Sequence, residues 1–113
     1  MPIPLRLLRG TLDGLVLKAL SAGELHGYGI AAWVHDVTEG LLKIEDGALY
    51  TALHRLEDRG LLESSWGVSD RGRKAKFYSL TTKGRRALKV EERDWRRYAE
   101  ALGRVFGAAQ EEV

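Results

Sequence analysis

Between Asp70 and Tyr78 the sequence reads DRGRKAKFY, four cations in nine residues: Arg71, Arg73, Lys74 and Lys76, with Gly72 between the two arginines and two aromatics closing the run. Clustered guanidinium and ammonium groups bind anions, and a run of them suits a polyanion. The rest of the chain sharpens the asymmetry. Up to Ser69 there are six Lys/Arg against nine Asp/Glu, and from Asp70 onward twelve against seven. From Arg71 to Lys89 there are eight cations and no carboxylate, in a chain whose net charge is only +2. Such a distribution points to an anionic partner, nucleic acid first, with a solvated basic surface as the plain alternative.

No other cluster supports chemistry. His26, His35 and His54 fall on different elements at no metal-ligand spacing, and Glu45 and Asp46 stand where helix caps stand. There is no Ser/His/Asp set, phosphate-binding glycine loop or dinucleotide fingerprint. The absence of cysteine removes disulfides, thiol nucleophiles and thiolate metal sites together. The expectation is a non-enzyme with no cofactor and no metal. Arg6, Arg9, Asp13 and Lys18 interrupt the mildly apolar N-terminus, which argues against a membrane span or signal peptide and for a cytoplasmic protein.

The elements that position the cations follow from periodicity. With 113 residues, 44% of them hydrophobic, the chain suits one domain with one added element. Leu8, Leu12, Leu15, Val16, Ala19 and Leu20 recur at helical spacing. They predict a first helix over 11–22, with Thr11 as N-cap, Gly23 as stop and residues 3–10 as a leading arm. Ile30, Trp33, Val34 and Val37 predict a second over 28–38, whose Gly27 and Gly29 weaken its first turn or admit another backbone. Leu49, Leu53 and Leu56, flanked by Ala52, form the core stripe of a third over 46–59, ended by Gly60. The period then changes to two. LLESSW (61–66) and KAKFYSL (74–80) read as strands around a seven-residue tip, and Thr81 or Thr82 caps a last helix running towards Ala109. The fold class is mainly α (α+β): a winged helix-turn-helix DNA-binding domain over 1–81 and a dimerisation helix with tail over 82–113.

In that architecture the third helix enters the major groove of double-stranded DNA. Thr51, His54 and Arg55 face outward towards base edges, Gly47 and Ala48 let the helix start come close, and Tyr50 suits a phosphate oxygen. Arg71, Arg73 and Lys74 fall at the wing tip, where the DNA backbone or minor groove lies. Tyr78 and Leu80 anchor the strand, and Lys76 shares their face nearer the tip. The plainer roles are that Tyr50 covers apolar surface, His54 is only solvated, and Arg55 pairs with Asp58 or Glu57. On the last helix Leu88, Glu91, Trp95, Tyr98, Leu102, Val105 and Ala109 keep three and four spacings, with Glu91 breaking an otherwise apolar seam. A domain this small has little core for Trp95, Tyr98 and Phe106. The expectation is a homodimer through Leu88, Trp95, Tyr98, Leu102, Val105 and Phe106, with Trp95 near its mate or the partner's first helix. Trp95 and Tyr98 could line a slot for a small aromatic effector, with Arg96 or Arg97 at its edge; otherwise Trp95 only seals the interface.

Four stretches resemble the PadR-like transcriptional regulators: LRGTLDGLVLKAL, HGYGI, GALYTALHRLEDRGLLE and GRKAKFYSLTTKG, together spanning about residues 8 to 90. Thr51 stands where that family's pattern leads one to expect proline. The resemblance implies operator binding as a dimer, mostly as a repressor, with dimerisation through the C-terminal helix, here of the single-helix type. It implies that some members answer to phenolic or multidrug ligands. It also implies that Tyr50 and the basic wing face DNA, with Tyr28 near the DNA side of the second helix. The expected function is a sequence-specific DNA-binding regulator, a homodimeric repressor on an inverted-repeat operator. The alternatives are a winged-helix protein-interaction module and a non-specific DNA binder.

Overall fold

The computed structural model describes residues 10–108. Its elements run α1 (Leu12–Ala19), β1 (Leu25–His26), α2 (Gly27–Val37), α3 (Asp46–Asp58), β2 (Leu62–Val68), β3 (Lys74–Leu80) and α4 (Thr82–Gly107). Of the leading arm expected over 3–10, residues 3–9 lie outside the described residues, as does the seam position Ala109.

α1 is shorter than its periodicity predicts. It ends at Ala19, and Ser21 and Gly23 donate backward to Lys18 and Leu20 in a turn. Leu20 is nonetheless buried. The apolar spacing records burial, which continues through the turn, rather than helical hydrogen bonding. β1 has no counterpart in the sequence pattern, because two residues cannot display an alternation. It pairs Leu25 with Tyr78 and His26 with Phe77, giving an antiparallel sheet of order β1-β3-β2. This brings the start of α2 beside the hairpin. His26 itself caps α2, its Nδ1 accepting from the Gly29 amide at 2.9 Å.

α3 follows its stripe. Leu49, Ala52, Leu53 and Leu56 are buried against α1, α2 and β2. Glu45 occupies the N-cap position without a side-chain capping bond, and Asp46 lies in the first turn. At the far end Leu61 donates to the Leu56 carbonyl and Gly60 to that of Glu57, with Gly60 at φ +77°. This is the Schellman arrangement, which needs a left-handed residue after the helix. The chain then enters β2 in one step. The ladder extends to Val68 opposite Lys74, so the wing tip is residues 69–73, five rather than seven. Ser69 donates to the Arg73 carbonyl, and Gly72 at φ +73° supplies the turn.

Thr81 caps α4 by accepting from the Gly84 amide at 3.0 Å while donating to the Gly60 carbonyl at 2.7 Å. A β-carbon at Gly84 would lie 2.0 Å from the Leu61 carbonyl oxygen, so α4 can start here only on glycine. Gly84 and Leu88 are buried in the same core as α3, so α4 begins inside the winged body and not beyond it. Further along, Glu91 lies over Gly14 and Glu92 pairs with Lys18 at 3.5 Å. The rest of the 26-residue helix, ~39 Å long at 1.5 Å per residue, projects outward. No described helix is long and apolar enough to cross a membrane.

Candidate nucleic-acid interface

An open groove of about 820 Å³ separates α3 from the wing. Its α3 wall is Tyr50 and His54, one turn apart. The N-terminus of α2 contributes His26, Gly27 and Tyr28. The wing wall carries Trp66 and the four cations Arg71, Arg73, Lys74 and Lys76, with Asp70 the one acidic lining residue. Cations that follow α3 by a whole strand and turn thus meet its outward face because β2 and β3 fold back over that helix. Seven of the predicted residues converge here: Tyr28, Tyr50, His54 and the four wing cations. Thr51 and Arg55 do not line the groove.

Tyr50 is half exposed and rests on the first turn of α2. A β-carbon at Gly27 would come within 3.2 Å of its hydroxyl. Gly27 therefore admits a side chain, not the backbone that the glycine pair suggests. Thr51 is exposed, and its hydroxyl donates to the Gly47 carbonyl at 2.9 Å, a local bond that its helical position favours. Arg55 turns away to α1, where its guanidinium is bonded to Asp13, and Arg59 approaches the same carboxylate at 3.7 Å. The hydrogen bond to Asp13 holds the Arg55 guanidinium protonated above its usual range, against a smaller opposing effect of burial. The anticipated partners, Asp58 and Glu57, are not the ones used. Asp13 is 42 residues away, so a search among helix neighbours misses it.

The wing cations divide into two groups. Lys76, expected to stay wet, is half buried and pairs with Glu57 of α3 at 3.5 Å. The Ser64 hydroxyl of β2 donates to the same carboxylate. Ser64 first, then Lys76, holds the Glu57 carboxyl below its ordinary range, against the upward push of burial. Arg71, Arg73 and Lys74 are exposed, and among the described residues no ion pair engages them. Lys74 instead lies 5.0 Å from the centre of the Trp66 ring. Burial pushes the Tyr78 phenol up, in keeping with its anchoring place at the base of the strand.

The α4 residues separate in the same way. Leu88 is 6% exposed in this chain's own core, which withdraws it from the predicted interface. Trp95 is half buried beside Gly10 and meets Tyr98 edge-on at 5.4 Å. Glu91, the flaw in the seam, faces α1 of the same chain. Leu102 is half buried, whereas Tyr98, Val105 and Phe106 are exposed, Phe106 to 83%. Sequence reasoning misses three residues. Asp13 gives no local signal, and His26 reads as an isolated histidine. Trp66 is within reach: it closes the strand read over 61–66, on the period of Leu62 and Ser64, and only a wing read by its cations alone leaves it out.

Three helices, a paired hairpin and a basic groove between the third helix and that hairpin define a winged-helix protein. The chain belongs to the PadR-like family of transcriptional regulators, whose family description matches residues 16–90. That is a family of regulators, not enzymes. Among solved structures, the chain is similar to a transcriptional regulator from Clostridium thermocellum at 26% identity and TM-score 0.78, over 88% of this chain and 96% of that one. A PadR family regulator from Eggerthella lenta is 32% identical with TM-score 0.76, over 93% and 89%. PadR of Bacillus subtilis, solved in complex with operator DNA, is 26% identical with TM-score 0.62, over 75% of this chain and 46% of that one. No curated protein matches the sequence.

Proposed function

We propose that the protein is a sequence-specific DNA-binding regulator, a repressor that acts as a homodimer on an inverted-repeat operator. The observation that carries this is the groove in which the α3 face meets the three exposed wing cations, Arg71, Arg73 and Lys74. The similar Bacillus subtilis protein was solved with operator DNA, which supports the same reading. In it, α3 lies in the major groove with His54 and Thr51 towards base edges, and Tyr50 and Tyr28 reach phosphates. Arg71, Arg73 and Lys74 hold the backbone at the wing. Arg55 reads a base only by exchanging Asp13 for it, and Lys76 mainly neutralises Glu57. The exposed end of α4 pairs two chains, and a planar aromatic effector would sit by Trp95 and Tyr98 near that junction.

The test is selection of bound sequences from random duplex DNA, followed by titration of the winning site against salt. An enriched inverted repeat is expected. Replacing Arg71, Arg73 and Lys74 by alanine should weaken all sequences alike and lower the slope of log K against log salt by ~0.9 for each phosphate that is no longer neutralised. Binding without enrichment would favour the non-specific reading, and no binding at all the protein-interaction reading. A promoter fusion carrying the enriched site then measures repression directly.

A further inference from the structure

Trp66 is 65% exposed, and the packing of its own chain makes little use of it. Its place on the wing is well determined. Along β2 it shares a face with Leu62, which is core, and with Ser64, which reaches Glu57 of α3. Across the ladder it stands opposite Lys76, with Lys74 two residues nearer the tip. That face turns towards α3, and the indole lies in the groove. The Lys74 ammonium is held over the ring, which keeps a flexible cation at a set place. Arg71 and Arg73 flank it at the tip.

An apolar plate with an ammonium beside it matches one repeating unit of the groove's proposed ligand. The outside of duplex DNA presents deoxyribose, which is largely apolar, joined to phosphate, which is anionic. Duplex bases are stacked inward and out of reach of a side chain that approaches the backbone. The indole N–H adds a donor for a phosphate oxygen. The surplus of cations in the groove selects an anionic occupant over an apolar peptide.

We infer that Trp66 and Lys74 form one composite site for the duplex sugar-phosphate backbone, indole against deoxyribose and ammonium on the adjoining phosphate. This rests on the DNA-binding function proposed above. The two halves of the site differ in their dependence on salt. Contact with the sugar releases no counterion, whereas contact with the phosphate does.

The experiment titrates the full chain with its selected duplex at several salt concentrations. Trp66→Ala should lower affinity about tenfold at every concentration, as expected if roughly 60 Å² of indole face leaves water on binding. Trp66→Phe should recover most of that affinity. Lys74→Ala should reduce the salt slope by ~0.9. Thermal midpoints check that the variants are folded. A second reading avoids altering Trp66: in a Trp33→Phe, Trp95→Phe background, duplex should shift the remaining emission to shorter wavelength. Wild-type binding with Trp66→Ala unaffected, or emission unchanged at saturation, overturns the inference alone. Tighter binding of single-stranded DNA than of duplex, abolished in Trp66→Ala, overturns it in favour of base stacking. A wild type that binds no duplex overturns the function and the inference with it.

Discussion

Asp13 lies in the first turn of α1, where a carboxylate complements the helix dipole, yet its oxygens are also shared by Arg55 of α3 and by Arg59, the residue that caps that helix. Pairs this open to solvent stabilise little, ~0.2–1 kcal/mol, so the tie matters more for what it withholds than for stability. Two cations at the helix proposed to enter DNA, Arg55 within it and Arg59 at its cap, share one carboxylate of a neighbouring element. Asp13→Asn should release both. Affinity for all duplexes should then rise at low salt, and the salt slope should steepen by ~0.9 for each released cation that finds a phosphate. Equal slopes in the variant and the wild type would mean that Asp13 only fastens α1 to α3. The outward angle of Arg55 on α3 is legible from the sequence, but its engagement is not. Helical spacing orders residues around one axis and carries no information about which other helix lies across it.

Glu57 makes α3 and the wing one element. It accepts from Ser64 on β2 and pairs with Lys76 on β3, so a single carboxylate ties the helix to both strands of the hairpin. Its pKa is lowered in the fold. The stabilisation it brings is therefore complete above the unfolded glutamate pKa of ~4.3 and is lost as pH falls through the lower, folded value. Glu57→Gln should be less stable than wild type at pH 7, by under ~1 kcal/mol since the pair is partly solvated. The gap between the two proteins should shrink as the pH is lowered from 7 to 3. Urea midpoints at the two pH values measure this, and a gap of equal size at both would assign the effect to shape rather than charge. The elements themselves are largely readable. The α3 stripe, the hairpin and the Thr81 cap each rest on local chemistry that spans several residues. β1 is not readable, because its two residues are a strand only by virtue of β3 beside them. The tip reads as too long because Gly67 looks like a turn residue. In the ladder it stands opposite Ala75, and a β-carbon there would press on Phe77 at 3.0 Å.

The molecule measures 62 × 31 × 21 Å, and its radius of gyration of 16.3 Å exceeds the ~13 Å of a compact chain of this length. The excess is α4. Its first half completes the body through Gly84, Leu88 and Trp95, while its second half carries Tyr98, Leu102, Val105 and Phe106 at four, three and one-residue steps, the spacing of a single face. An exposed apolar stripe at the end of a protruding helix suits burial against a second copy, and two-fold pairing would set two α3 helices on one side of the dimer. Two half-sites about one helical turn apart, ~34–36 Å, are then the geometric expectation for the operator. Trp95 is a poor probe of this pairing, because it also packs beside Gly10 of its own chain. Val105 and Phe106 are better: both are exposed, so replacing them leaves the body intact. The double variant Val105→Glu, Phe106→Glu should sediment as one chain at micromolar concentration where the wild type sediments as two. Its thermal midpoint, read at the same concentration, should fall only by what dimerisation contributes. It should also bind a single half-site as the wild-type monomer would, but lose most of its affinity for the full inverted repeat, because the second half-site is no longer tethered. A double variant that still sediments as a dimer would place the pairing surface elsewhere on the chain and leave the stripe without a partner.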